Sequence, residues 1–401
     1  MNNKYLLTAL TSLVAVAVMF AATKMHSRSG VEQIAVGFVY IGDRGTAYTN
    51  NFFRAQVELE DALGGRVRTI AKFNIKDSGG ECEKAIESLV SDGCSLIFTT
   101  SYGYGEATKK MAQKYPAVQF CHASGDTANK EPVLANFHNF MGKIYEGRYV
   151  SGVVAGLKMR ELIDSGKIRR SGAKIGYVAA FPYPEVISGY TAFFLGVRSV
   201  VGEAEMTVRY TNTWGNHVIE KKTAEKLIEE GCVIVSQHSD TTGSAIACEE
   251  ESSKRGKTVF HVGYNQSMSD VAPTTSLVSS RINWTPYVVA ASEAVLAGKR
   301  IESTVKTDLH GNDAAAEFAD GWVEVIGLNR LIAADGTEEE IGRTVRLFKD
   351  KRLSVFSGNY TGVNPFDAGD TWDLREPFTE NETASAPQFR YVLRDVITVE
   401  E

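Results

Sequence analysis

"DGCSLIFTTSYGYGEA", from Asp92 to Ala107, and "EGCVIVSQHSDTTGSA", from Glu230 to Ala245, are two versions of one phrase. Each has an acidic residue, Gly-Cys, an apolar run, a Ser, and a glycine from which a helix-like stretch continues. The two cysteines lie 138 residues apart (232 − 94). A short apolar run that breaks at small polar residues and passes into a helical pattern is a strand-to-helix turn of a buried parallel sheet.

The surroundings of the phrase repeat as well. "IAVGFVYIG", "YTNNFFRAQVELEDALGG", "RTIAKFNI" and "GGECEKAIESLVSDG" precede the first copy, and "GEATKKMAQKYP" and "VQFCHASG" follow it. "AKIGYVAAF", "SGYTAFFLGVRSVVG", "EMTVRYTNTW" and "HVIEKKTAEKLIEEG" precede the second, and "GSAIACEEESSKRG" and "TVFHVGYN" follow. Gly37 and Gly176 sit in matching first strands, 139 apart (176 − 37). This register predicts an α/β fold of two Rossmann-like lobes with parallel sheets, related by structural duplication. The late strand "TSLVSSRIN" and helix "WTPYVVAASEAVLAGK" are expected to take the chain back to the first lobe, so that several crossovers form a hinge. The expected division is 34–136 with 284–329 for the first lobe and 137–283 for the second. Residues 330–401 then form a C-terminal extension across the lobes.

Composition narrows the function. The chain has 401 residues, 43% of them apolar, and a net charge of −6. That is enough for two cores, and the scattered Lys and Arg give no footprint for nucleic acid. Residues 1–30 differ from the rest: "YLLTALTSLVAVAVMFAAT", Tyr5 to Thr23, carries no charge and is followed by "KMHSRSG". This reads as a signal peptide or signal anchor, and places the protein outside the cytoplasm, on the outer face of the cell membrane or in the periplasm. If uncleaved, the segment would hold it to the membrane. The five cysteines show no C-x-x-C or Cys/His spacing, and Cys94 and Cys232 read as small buried hydrophobes rather than metal ligands. No metal and no cofactor is expected.

In open parallel sheets ligands bind beyond the carboxyl ends of the strands. The loops there read "YIGDRGTAYTNN", "TTSYGYGE", "AAFPYPEVIS", "TNTWGNH", "SQHSDTTG" and "GYNQSMS". They combine Tyr48, Tyr102, Tyr104, Phe181, Trp214 and Tyr264 with Asp43, Asn50, Ser101, Glu185, His238, Asp240, Asn265 and Gln266. Rings beside fixed polar groups suit a flat heterocycle, stacked on its faces and read at its edge; core packing is the alternative for any single ring. "GDRG" lacks the third glycine of a dinucleotide fingerprint, and no nucleophile elbow is present. Asp43, Glu185 and Asp240 would serve an acid–base pair or read ligand hydroxyls equally well. The chain is expected not to be an enzyme.

At these loops the sequence resembles the basic membrane protein family, the PnrA-like substrate-binding receptors of ABC importers, over about residues 34–329. The resemblance rests on "VYIGDRGTAYTNNF", "IFTTSYGYGEATKKMAQKYPAVQF", "FMGKIYEGRYVSGVVAGLKM", "IGYVAAFPYPEVISGYTAFFLGVRSV", "TNTWGN", "LIEEGCVIVSQHSD" and "VGYNQSMSDVAP". It implies a periplasmic-binding-protein (type I) fold that closes on a small molecule, with a purine nucleoside as ligand and a membrane permease as partner. By position it implies that Asp43, Asn50 and Tyr102 touch the base and that Phe181 and Glu185 approach from the second lobe. Asn265 stands where nucleoside receptors have an Asp for the ribose, Ser280 near where they have a Lys, and Thr46 where a related branch has a Trp. These departures leave a free base or a flavin-like ligand open. A sensory ligand-binding protein on the same lobes is the alternative outside transport.

Overall fold

The computed structural model describes residues 32–400; the expected signal segment lies outside the described residues. The first lobe carries β1 (Ile34–Val39), α1 (Ala47–Leu63), β2 (Val67–Lys72), α2 (Glu81–Ser91), β3 (Cys94–Thr99), α3 (Gly105–Lys114), β4 (Gln119–Ala123) and β5 (Phe137–Gly142). The chain then passes through α4 (Ile144–Asp164) into β6 (Lys174–Ala179), α5 (Pro184–Val200), β7 (Glu205–Tyr210), α6 (His217–Glu229), β8 (Ile234–His238), α7 (Gly243–Arg255), β9 (Phe260–Tyr264) and β10 (Ser276–Ile282). Within the two sheets the strands run 5-4-3-1-2 and 10-9-8-6-7, all parallel. The order is the same, so the echo read in the sequence is an echo of topology.

The matched glycines share one cause. A Cβ on Gly37 would sit 2.9 Å from Leu89 of α2, and one on Gly176 would sit 2.9 Å from Leu227 of α6. Each glycine lets the helix before the Gly-Cys strand lie flat on its sheet. The cysteines that open the phrase are buried beside them, and burial pushes the Cys94 thiol up to about 11 and the Cys232 thiol up to about 12. They pack as small apolar groups.

The seam between α4 and α5 explains the stretch "GRYVSGVVAG". A Cβ on Gly152 would collide with the Phe193 carbonyl, and one on Gly196 with the Tyr149 carbonyl. The two helices therefore approach backbone to backbone.

Two expected boundaries move. β5 pairs in parallel with β4, Phe137 beside Phe120, so 137–142 complete the first sheet and the chain crosses only afterwards. After α8 (Thr285–Leu296) returns to pack on α1, with Trp284 stacked 4.2 Å from Phe52, β11 (Asp308–His310) and β12 (Asp313–Ala316) extend the first sheet. β13 (Val323–Ile326), however, pairs antiparallel with β10 in the second sheet, although it falls in the stretch expected in the first lobe. Apolar alternation marks a strand without saying which sheet edge will accept its hydrogen bonds. The chain thus crosses three times, after β5, β10 and β12.

The extension holds α9 (Thr337–Lys349) against α4, then a small sheet of β14 (Thr361–Asn364), β15 (Asp367–Asp373) and β16 (Val392–Leu393). β17 (Ile397–Glu400) ends it by adding in parallel to β7, Ile397 beside Met206. Glu400 there pairs with the buried Arg209.

Candidate functional site

A cavity of about 350 Å³ opens between the carboxyl ends of the two sheets. The first lobe contributes Ile41 after β1, Tyr48 in the first turn of α1, Ser101 and Tyr102 after β3, and Ser124 after β4. The second contributes Glu185 at the start of α5, Trp214 after β7, His238 and Asp240 at the end of β8, and Tyr264 at the end of β9. Successive parallel strands end at one edge, which is why residues as far apart as Ile41 and Tyr264 face one space.

The lobes touch around it. The Ala47 N–H donates to the Asp240 carbonyl (2.9 Å), and Asn50 Nδ2 donates to Gln266 Oε1 (3.3 Å). Ala47, Ala245, Met268 and Ala272 form a small apolar patch across the same contact. At the mouth, the ring of Tyr102 lies 5.4 Å from that of Tyr183, which stacks at 5.2 Å on Phe181; Phe181 meets Trp214 edge-on at 5.1 Å. The lobes are closed over the cavity.

Inside, His238 and Asp240 are buried. Tyr48 Oη donates to the Thr100 carbonyl at 2.5 Å, and burial raises its hydroxyl well above the usual tyrosine range. Burial, reinforced by Glu220 and Glu185, raises the Asp240 carboxyl well above the usual range, so it tends toward the neutral, donating form. Burial and the neighbouring Arg148 push His238 down to about 4, leaving a neutral imidazole with Nε2 3.4 Å from Glu185 Oε1. Beneath Tyr264 lies Arg148 itself, 1% exposed, with Cζ 3.6 Å from the ring centroid and Nη1 donating to the Gln237 carbonyl (2.7 Å). A buried cation under one wall fixes Tyr264 and biases the charges of His238 and Asp240.

Eight residues singled out in the sequence meet at this cavity: Tyr48, Ser101, Tyr102, Glu185, Trp214, His238, Asp240 and Tyr264. Phe181 backs the mouth, and Asn50 and Gln266 join the lobes. Asp43 does not reach the cavity: it is exposed, and its Oδ1 accepts from the Gly45 N–H (2.8 Å), so it shapes a turn. Tyr104 turns back under its own sheet and donates to the Ile75 carbonyl. Asn265 is 2% exposed in a left-handed conformation (φ 66°) and lies outside the lining, its amide without a partner among the described residues. The sequence reading missed Ile41, Ser124 and Arg148. Ser124 follows a strand in the loop "HASG", which the strand-end rule covers; Arg148 has as its signal a cation set in the small-residue stretch "GRYVSGVVAG" of α4.

A family model for PnrA-like ABC transporter substrate-binding proteins matches residues 47–320. The chain belongs to this family. A purine-binding protein of Brucella abortus is 36% identical over 269 residues, 67% of this chain and 70% of that protein. A putative ABC transporter glucose-binding protein of Haloferax volcanii is 29% identical over 271 residues, 67% of this chain and 62% of that protein. Among solved structures, a solute-binding protein of Aeropyrum pernix superposes with TM-score 0.63 at 17% identity, covering 84% of this chain and 95% of that one. One from Conexibacter woesei gives 0.61 at 15% identity, covering 80% and 97%. These two share the fold. PnrA-like proteins are extracytoplasmic receptors that bind a small molecule for an ABC transporter, and this chain has two lobes of periplasmic-binding-protein type with the cavity between them.

Proposed function

We propose that the protein is the exported receptor of an importer for a purine, taken as the nucleoside, which it encloses between its lobes and presents in closed form to a membrane permease. The observation that carries this reading is the enclosed cavity itself. Four rings (Tyr48, Tyr102, Trp214, Tyr264) surround it, and Ser101, Ser124, Glu185, His238 and Asp240 supply donors and acceptors at its edges. A flat ring with nitrogen and oxygen substituents satisfies both sets at once. The purine-binding relative supports the same ligand class. Binding couples to closure because the two lobes supply the walls, and only the closed population offers a permease a distinct surface.

A free purine base is the second reading, favoured by Asn265 and Ser280. Both are buried outside the lining, where they form no clamp on a sugar. Thermal unfolding of the purified protein with nucleosides, bases and flavins tests the class. A ligand of the folded state at a hundred times its Kd adds about 2.7 kcal/mol of stability and raises the midpoint. An unmoved midpoint across the panel at millimolar concentration refutes the purine. The receptor returns its ligand unchanged, and free base released from a nucleoside would contradict that.

A further inference from the structure

Residues 330–401 lie beyond the family match, yet part of them reaches the cleft. Residues 380–391 form a strap held to both lobes. On the second lobe the buried Glu380 accepts from Ser188 Oγ (2.8 Å) and from the backbone N–H groups of Gln388 (2.6 Å) and Phe389 (3.0 Å), while Thr191 Oγ1 donates to the Tyr391 carbonyl (3.3 Å). On the first lobe Ser385 Oγ approaches the Gly125 carbonyl at 3.5 Å. Asn381, with φ 60°, folds its amide onto the carbonyls of Ala384 (3.1 Å) and Ser385 (2.7 Å). Phe389 is fully buried and stacks 4.0 Å from Phe356. The strap is a built wall of the molecule.

It walls one side of a second, solvent-open chamber against the mouth of the first. Tyr102, Ser124 and Glu185 line both, so the two spaces adjoin at the Tyr102–Tyr183 ring pair. The outer chamber adds Asp126 from the first lobe and Gln388 and Arg390 from the strap. Carboxylates, an amide and a guanidinium beside two tyrosine rings match the donors and acceptors of vicinal hydroxyls and the apolar face of a sugar ring.

We propose that the outer chamber is the sugar subsite of this receptor, with the C-terminal strap supplying its wall and Asp126 and Gln388 its hydroxyl contacts. The inference rests on the purine reading above. It puts the sugar on the strap side of the cleft, away from the buried Asn265 and Ser280.

The test is calorimetric titration of the folded protein and of the variants Gln388→Ala and Asp126→Asn with hypoxanthine and with inosine. Asp126→Asn lies on the first lobe and leaves the strap's anchors intact, so it serves if Gln388→Ala loosens the strap. Each variant is expected to weaken inosine about 3- to 10-fold, the worth of one hydrogen bond, while hypoxanthine changes less than twofold. Equal losses for both ligands, no loss for either, or a parent protein that binds hypoxanthine and not inosine would overturn the subsite and leave the purine reading standing. A parent protein that binds neither refutes the purine reading itself, and the subsite with it.

Discussion

The two lobes are one design used twice, and they differ at the cavity between them. After β3 the first lobe turns through Ser101 to Tyr102, whose ring is 42% exposed at the mouth. After β8 the second turns through His238 and Ser239 to Asp240, all buried. Up to those residues the lobes match down to single positions: Gly37 with Gly176 under a leucine, and Ser124 with Asn265 in left-handed turns after β4 and β9 (φ 57° and 66°). Packing constrains both copies alike, whereas the cleft asks for different groups on its two sides. The first lobe offers a platform, and the second offers buried polar groups above Arg148.

The comparison breaks first at Asp240. Its replacement by Ala removes a buried polar partner, and we expect ligand affinity to fall about 10- to 100-fold by calorimetry. Next come the matched glycines: Gly37→Ala and Gly176→Ala each force a leucine to move, and each should lower stability by about 1–3 kcal/mol in denaturant unfolding. Similar losses confirm that the lobes share their packing; a loss in one lobe alone breaks the match.

A smaller effect separates the lobes by pH. Burial pushes His122 in the first lobe down to about 4, and His238 and His261 in the second to about 4 and about 3. These groups stay neutral in the folded protein while the unfolded chain takes up protons below pH ~6.5, so their contribution is present above that pH and is lost as pH falls toward 4. His261→Gln should therefore flatten the fall in stability between pH 6.5 and 4 by about 1.4 kcal/mol per pH unit. An unchanged slope would mean that His261 titrates normally. The smallest expected effect is at the platform: Tyr102→Ala loses one half-exposed ring contact, about 0.5–1.5 kcal/mol, or roughly 2- to 10-fold in affinity.

Much of this was legible in the residues. The repeated Gly-Cys phrase gave two parallel α/β lobes of like element order, and the strand-end rule gave most of the cavity wall. What stayed hidden was set by partners distant in sequence. The sheets of β5 and β13 were chosen by neighbours whose edges were free. Asp43 and Tyr104 occupy strand-end loops, as sites do, yet their side chains satisfy a turn and a buried carbonyl. Arg148 is invisible to a search of loops because it acts from a helix, through the ring of Tyr264. The strap reads as polar turns until Glu380 is seen buried against α5.

The central claim is that the ligand lies in the cavity shared by both lobes, and a crystal structure grown with inosine tests it most directly. The account predicts a planar ring system in contact with Trp214 and Tyr264 from the second lobe and with Tyr48 and Tyr102 from the first, its edge within hydrogen-bond distance of Asp240 or Glu185. Inosine bound outside this cavity, or touching one lobe alone, would contradict it.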